Sequence, residues 1–78
     1  MRVRVSMFGP LRKYGAEVTC ELEDGATVRD LRSALAEELS DEPLLARCVF
    51  ATAEAIVKES SVVSSGVSYV VLPPVCGG

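Results

Sequence analysis

Residues 27–39 read TVRDLRSALAEEL and contain the one long helical repeat of apolar side chains in the sequence. The apolar residues recur at intervals of three or four, which places them on a single stripe of an α-helix. The stripe consists of Val28, Leu31, Leu35 and Leu39. Thr27 is a good N-cap, and Asp30 can complete a variant of the capping box. Residues 40–43, SDEP, should end this helix, because a proline disfavours helical geometry at the residue before it.

Strand-like segments flank this helix on both sides. Residues 2–8, RVRVSMF, and residues 18–22, VTCEL, alternate apolar with polar side chains, which predicts two half-buried strands that pair as a hairpin. Three apolar stretches follow the helix, at residues 48–51, 55–57 and 67–72. The last stretch is typical of a strand in the centre of a sheet that is covered on both faces.

The order of these segments predicts the fold class. It is strand, strand, helix and then two or three strands, with one short helical turn expected at residues 44–47. A sheet with one helix packed across a single face satisfies this order, whereas a ferredoxin-like fold needs a second helix of similar length. We therefore predict an α+β fold, the β-grasp arrangement, with a mixed sheet of four or five strands. The domain is expected to span residues 1–72, and residues 73–78 form an extended tail.

Length and composition indicate one small globular domain. The chain has 78 residues, of which 49% are apolar and 24% are charged, as in ordinary soluble domains. A net charge of −3 argues against a nucleic-acid partner, whose phosphates require basic residues. No apolar run approaches the ~20 residues of a membrane span. The opening residues, MRVRVSMFG, do not have the pattern of a secretory signal. We expect neither a nucleic-acid nor a membrane partner.

The residue types that are missing limit the chemistry. There is no histidine, which excludes Ser-His and Cys-His machinery and His-bearing zinc sites. The three cysteines are odd in number and show no C-x-x-C spacing, so a reducing cytoplasm fits better than a disulfide framework. The sequence also lacks the glycine-rich loops that bind nucleotide phosphates. We therefore expect no metal site, no cofactor bound by this chain and no enzyme activity of the chain alone.

The last six residues, PPVCGG, suggest a different kind of function. The two prolines lack amide protons and favour an extended exit from the last strand. Gly77 and Gly78 could pass through a channel too narrow for side chains. A terminal carboxylate is ionised at neutral pH and a poor electrophile, so it must be activated, for example as an acyl-adenylate, before a nucleophile attacks it. The alternative interpretation of Gly-Gly is a frayed terminus.

The chain resembles the small subunit of molybdopterin synthase, the MoaD-type family of ubiquitin-like sulfur carriers. The resemblance covers essentially the whole length: a first strand that ends in Phe8, Arg12 in the first turn, the capped helix and the closing LPPVCGG. It implies that a partner similar to ubiquitin-activating enzymes adenylates Gly78 with ATP. A sulfur donor protein then converts the adenylate to a thiocarboxylate.

The same resemblance implies the partners and the contact residues. The tail inserts into the large subunit of molybdopterin synthase and delivers sulfur to cyclic pyranopterin monophosphate. The chain is then the non-catalytic subunit of a heterotetramer, with Gly77 and Gly78 at the reacting end. The residues expected to contact partners are Phe8, Arg12, Ile56, Leu72, Pro73, Pro74, Val75 and Cys76.

Two other functions remain open at this point. One is a sulfur carrier for thiamin or cysteine biosynthesis, since carriers of the thiamin pathway also end in Gly-Gly. The other is a ubiquitin-like modifier that is conjugated through Gly78 to lysines. The Pro73-Pro74 pair favours the molybdopterin pathway, because the thiamin carriers usually lack it.

Overall fold

The computed structural model describes residues 1–73, which form one mixed four-stranded sheet with helices on one side. The sheet order is β2-β1-β4-β3, in which β1 pairs antiparallel with β2 and parallel with β4, and β3 pairs antiparallel with β4. The elements are β1 (Arg2–Met7), a 3-10 helix (Gly9–Tyr14), β2 (Glu17–Glu21), α1 (Val28–Leu39), α2 (Glu42–Leu45), β3 (Val49–Ala51) and β4 (Ser68–Leu72). The predicted α+β β-grasp fold is confirmed, with four strands.

The core lies between α1 and one face of the sheet. The predicted helix stripe faces this core, where Val28, Leu31 and Leu35 are fully buried. On β1, Val3 and Val5 alternate with exposed arginines and pack into the same core. An alternating strand buries one set of side chains and leaves the other in solvent, and this amphipathic pattern fixes which face α1 covers.

Strand β4 lies in the middle of the sheet, as its sequence predicts. The expectation that both of its faces are covered is wrong. Tyr69 and Val71 are buried, but Val70 and Leu72 on the other face are only half-buried. The reason is that α1 packs against one face alone, so the opposite face is left open within residues 1–73.

Helix α1 begins where its capping residues predict. The Thr27 side chain accepts a hydrogen bond from the Asp30 amide, and the Asp30 carboxylate accepts one from the Thr27 amide at 2.9 Å. The helix ends at Leu39, and Ser40 follows it in the left-handed conformation with φ 53°. Pro43 lies in the first turn of α2, where a missing amide proton costs nothing. The second helix therefore begins at Glu42, two residues before the expected turn at 44–47.

Two segments differ from the strands and turns that the sequence predicts. Residues 55–57, which could have supplied the fifth strand, form only a single bridge between Ala51 and Ile56, whose two hydrogen bonds run from the Thr52 amide to the Ala55 carbonyl and from the Val57 amide to the Phe50 carbonyl. Arg12, expected in the first turn after β1, lies in a full 3-10 helix that has its proline in the first turn. The buried Leu11 holds that helix against the core.

Replacement of the cap residue should destabilise the domain. Thr27→Ala removes one half of the capping box and should lower the free energy of unfolding by about 1 kcal/mol. Ser33→Ala, at an exposed position of α1, is the matched control and should not lower it. Urea unfolding followed by circular dichroism measures both variants. Equal stability of Thr27→Ala and the wild type would show that the box contributes nothing.

Candidate functional site

The face of the sheet opposite α1 divides into an apolar and a charged half. The apolar half is formed by β3, β4, the residue after β1 and the bridge residue beside β3. We call it the apolar patch. It consists of Phe8, Val49, Ile56, Val70 and Leu72. Large apolar side chains grouped on one surface are typical of a protein interface.

Register and backbone geometry place three sequence-predicted residues in this patch. Phe8 has extended dihedrals and follows the buried Met7, so it points to the open face, where it is 50% exposed. Ile56 pairs with Ala51 across an antiparallel bridge and is 66% exposed. Leu72 pairs with Val49 at the end of β4. The structure thus brings Phe8, Ile56 and Leu72, which are far apart in sequence, onto one surface.

Two members of the patch are missed by the sequence interpretation. Val49 is 38% exposed, and Val70 is half-buried on the same face. The sequence places both in apolar strand segments and does not name them as contact residues. The sequence carries no signal that separates them from core residues, because Val70 lies in a continuous apolar run and only the pairing of the strands shows that it is one residue out of phase with the buried Tyr69 and Val71.

The charged half of the open face lies on β1 and β2. Arg2 and Glu21 form an exposed ion pair at 2.8 Å, and Arg4 lies beside Thr19 in the same register. An exposed pair of this kind adds little stability. These residues border the apolar patch, and the surface that they form on β1 and β2 is hydrophilic.

Arg12 lies on the 3-10 helix that follows Phe8, and it is exposed. It lines a shallow hollow of about 300 Å³ together with Phe8 and Gly9, next to the apolar patch. Among residues 1–73, no carboxylate lies within 4 Å of its guanidinium. The predicted contact residue Arg12 therefore offers a positive charge at the edge of the patch.

A hydrogen bond anchors the helix that carries Arg12. The Tyr14 hydroxyl donates to the Asp41 carboxylate at 2.6 Å, which joins the 3-10 helix to the loop between α1 and α2. This hydrogen bond, with a contribution from burial and from the negative charge, raises the pKa of Tyr14 above its usual value. Tyr14 therefore stays neutral and remains a donor at physiological pH.

Arg32 supports the β3 side of the patch from behind. Its guanidinium donates to the Leu45 and Cys48 carbonyls and to the Glu59 carboxylate. It also lies 5.1 Å from the centroid of the Phe50 ring, within the range of a cation–π contact. These bonds join α1 to the segment that leads directly into Val49. This network is absent from the sequence interpretation, because its partners come from three separate segments.

Acid should weaken the bond between Arg32 and Glu59. The hydrogen bonds from Arg32 hold the pKa of Glu59 below its usual value. The pair therefore stabilises the fold fully above the unfolded-state pKa, and this contribution is lost as pH falls through the folded-state pKa. Glu59→Gln should cost about 1 kcal/mol or less at pH 7, because Glu59 is partly exposed.

Urea unfolding between pH 3 and pH 7 measures this effect. The stability difference between the wild type and Glu59→Gln should be present at pH 7 and should shrink toward pH 3. Glu54→Gln, at an exposed position, is the control and should show no such difference. A Glu59→Gln penalty that stays constant across this range would contradict the prediction.

The described cysteines are buried and do not belong to the open face. Cys20 and Cys48 lie in the core, and burial raises the pKa of both thiols. Both are therefore poor nucleophiles at neutral pH. Within residues 1–73, no three His, Cys, Asp or Glu side chains are grouped as metal ligands.

The tail begins beside the apolar patch. Pro73, the last described residue, is half-buried and lies next to the backbone of Gly9. The other predicted tail residues lie outside the described part of the chain, and their roles stay predictions. They are Pro74, Val75, Cys76, Gly77 and Gly78.

A mixed four-stranded sheet crossed by one long helix defines a ubiquitin-like β-grasp protein. A profile described as the ThiS family matches residues 5–78. The chain belongs to the ThiS family of small ubiquitin-like sulfur carriers. The match runs through the tail to Gly78.

Solved structures share this fold over the whole domain. A chain from the complex of subunits 1 and 2 of the molybdopterin-converting factor of Helicobacter pylori is 26% identical, with 100% of each chain covered and a TM-score of 0.70. Small archaeal modifier protein 1 of Haloferax volcanii is 18% identical, with 95% of this chain and 98% of that chain covered and a TM-score of 0.78. A ubiquitin of Caldiarchaeum subterraneum is 18% identical, with 100% and 98% covered and a TM-score of 0.70.

No curated protein sequence gives a significant match to this chain. In the part of the chain that the structure describes, no helix combines the length and the apolar character needed to cross a bilayer.

Proposed function

We propose that this chain is a cytoplasmic sulfur carrier and the small subunit of molybdopterin synthase. In this role Gly78 is adenylated, converted to a thiocarboxylate and inserted into the large subunit. There it gives its sulfur to cyclic pyranopterin monophosphate during molybdenum cofactor biosynthesis. The observation that carries the proposal is the apolar patch, which lies on the open face of the sheet directly beside the base of a Pro-Pro-Val-Cys-Gly-Gly tail.

The position of the patch supports a partner that also receives the tail. Leu72 belongs to the patch, and the next residue, Pro73, begins the tail. A protein that covers Phe8, Leu72 and the neighbouring apolar side chains therefore lies next to the start of the tail. The six residues from Pro73 can reach at most ~20 Å when extended, which is enough to enter a pocket of that partner.

The comparison with solved structures supports the choice of partner. The H. pylori structure is a complex of two subunits of the molybdopterin-converting factor, and its similarity to this chain covers the full length of both. By analogy, the large subunit of molybdopterin synthase is the partner that we assign to the apolar patch. Arg12, at the edge of the patch, would then face an acidic group of that subunit.

The chemistry of the tail requires further partners. The Gly78 carboxylate attacks the α-phosphate of ATP, pyrophosphate leaves, and an acyl-adenylate forms. The terminal sulfur of a persulfide on a donor protein then attacks the acyl carbon and displaces AMP, and a thiol attacks the donor sulfur of the resulting acyl disulfide, which releases the thiocarboxylate and leaves a disulfide on the donor. An adenylyltransferase similar to ubiquitin-activating enzymes would bind the ATP, and this chain would contribute only the carboxylate and the surfaces that present it.

Loss of the last residue should abolish transfer without unfolding the domain. Deletion of Gly78 removes the reacting carboxylate from its required position, and a solvated terminus contributes few contacts to stability. When the truncated chain is mixed with a large subunit and cyclic pyranopterin monophosphate, we expect no molybdopterin to form. The melting temperature of the truncated chain should be nearly that of the wild type. A large fall in melting temperature would show that the tail is structural and would contradict this interpretation.

The positive arm of that experiment uses the thiocarboxylated full-length chain. Molybdopterin formation with the large subunit would establish the pathway. No product, with a verified thiocarboxylate and a large subunit that is active with its own carrier, would assign the chain to another sulfur pathway, such as thiamin or cysteine biosynthesis.

Truncation within the apolar patch should weaken binding to the large subunit. Phe8→Ala and Ile56→Ala should each raise the Kd about tenfold, because a large apolar side chain covered at an interface contributes more than 1 kcal/mol. Val62→Ala is the matched control. Val62 is 63% exposed, almost as much as Ile56, but it pairs with Thr27 at the start of α1 and lies outside the patch.

Isothermal titration calorimetry measures these affinities, and the melting temperature of each variant confirms that the domain is folded. An equal effect of Val62→Ala and Ile56→Ala would remove the patch from the interface. Unchanged affinity in all three variants would place the partner on another surface.

The second candidate function is a protein modifier conjugated through Gly78 to lysines. The similarity in fold to small archaeal modifier protein 1 of H. volcanii favours it. Lysine adducts with an isopeptide-linked Gly-Gly remnant, detected by mass spectrometry in the source cells and absent after deletion of Gly78, would establish this function.

A further inference from the structure

Strands β1 and β4 end side by side. They run parallel, with Met7 opposite Val71, so the chain leaves both strands at the same edge of the sheet. After β1 the chain turns away into the 3-10 helix, and after β4 it continues into Pro73. The two continuing segments must therefore share the space at this edge.

Gly9 makes the turn that separates them. Its φ is +59°, in the left-handed region that L-residues with a side chain rarely adopt. A methyl group built on Gly9 would lie 3.2 Å from Cγ and 3.8 Å from Cδ of Pro73. The first distance is shorter than ordinary van der Waals contact between carbon atoms. A side chain at residue 9 would therefore require the ring of Pro73 to move by a few tenths of an ångström.

We propose that Gly9 is a positioning residue for the tail: its missing side chain lets Pro73 lie against the backbone after β1 and so sets the direction in which the reactive residues leave the domain. This inference rests on the proposed function, in which Gly78 must reach the active site of an activating enzyme. Gly9 itself touches no reacting atom. It acts through its contact with Pro73.

The rigidity of proline transmits the effect along the chain. Because the ring fixes φ of Pro73, one fewer backbone rotation is available to absorb a displacement of the ring before it reaches the following residues. A group-transfer reaction is sensitive to such changes, and a misplacement of about 1 Å can cost about 100-fold in rate. A small shift at the tail base can therefore have a large effect at Gly78.

The first test compares two glycine substitutions. Gly9→Ala introduces both an unfavourable φ and the clash with Pro73. Gly25→Ala is the matched control, since Gly25 has φ +89° but no atom within 4 Å of the added methyl group. ATP–pyrophosphate exchange with an adenylating enzyme that activates the wild-type chain measures the effect on the tail. We expect Gly9→Ala to lower kcat/KM about tenfold and Gly25→Ala to change it less than twofold.

A double-mutant cycle with Pro73→Ala isolates the contact. Without the proline ring, the methyl group of Gly9→Ala has no atom to displace. The loss caused by Gly9→Ala should therefore fall from about tenfold to less than twofold in the Pro73→Ala background. Equal losses in both backgrounds would overturn the proposal, as would Gly9→Ala activity equal to the wild type or equal losses for Gly9→Ala and Gly25→Ala.

A second measurement does not depend on the proposed function. A nitroxide label on Cys76, with single labelling verified by mass spectrometry, broadens the amide resonances of residues near the tail. Gly9→Ala should change which amides of the domain are broadened, and Gly25→Ala should not. Identical broadening in the wild type and Gly9→Ala would overturn the proposal. If no adenylating enzyme activates the wild-type chain, the proposed function is overturned. The nitroxide measurement would still decide the role of Gly9.

Discussion

The parallel pairing of β1 with β4 is the constraint on which the rest of this structure depends. It brings the first and last strands of the domain together in the centre of the sheet, from Arg4 beside Ser68 to Met7 beside Val71. Parallel strands leave a sheet at the same edge. Phe8, the 3-10 helix with Arg12 and the base of the tail are therefore neighbours, and the apolar patch forms where they meet.

Local sequence patterns predict much of this fold. The capped helix from Thr27 and the alternating strands β1 and β2 follow from periodicity and capping, since each depends on residues close in sequence. The open face of β4 does not follow, because an apolar run has no parity that tells a covered face from one left for a partner. The choice between four and five strands does not follow either, because the apolar residues 55–57 do not reveal that their pairing stops at one bridge.

The candidate site divides in the same way. The resemblance to sulfur carriers identifies Phe8, Ile56 and Leu72, which the structure places on one surface, while their binding role remains a proposal. The bonds of Arg32 to Glu59 and the contact of Gly9 with Pro73 could not be predicted. Both contacts join segments that are distant in sequence, and a periodic pattern of residues predicts only local structure. The tail residues can be recognised from the sequence because proline restricts the backbone and glycine frees it whatever the tertiary structure.

The central position of β4 also determines how the domain responds to a mechanical load. A force applied through Pro73 acts along β4, which is hydrogen-bonded to β1 on one side and to β3 on the other. Both ladders are then loaded in shear, so many hydrogen bonds must break together rather than one after another as in peeling. The pairing of β4 on both sides therefore gives the end of the domain more resistance to a pull on Pro73 than an edge strand would have.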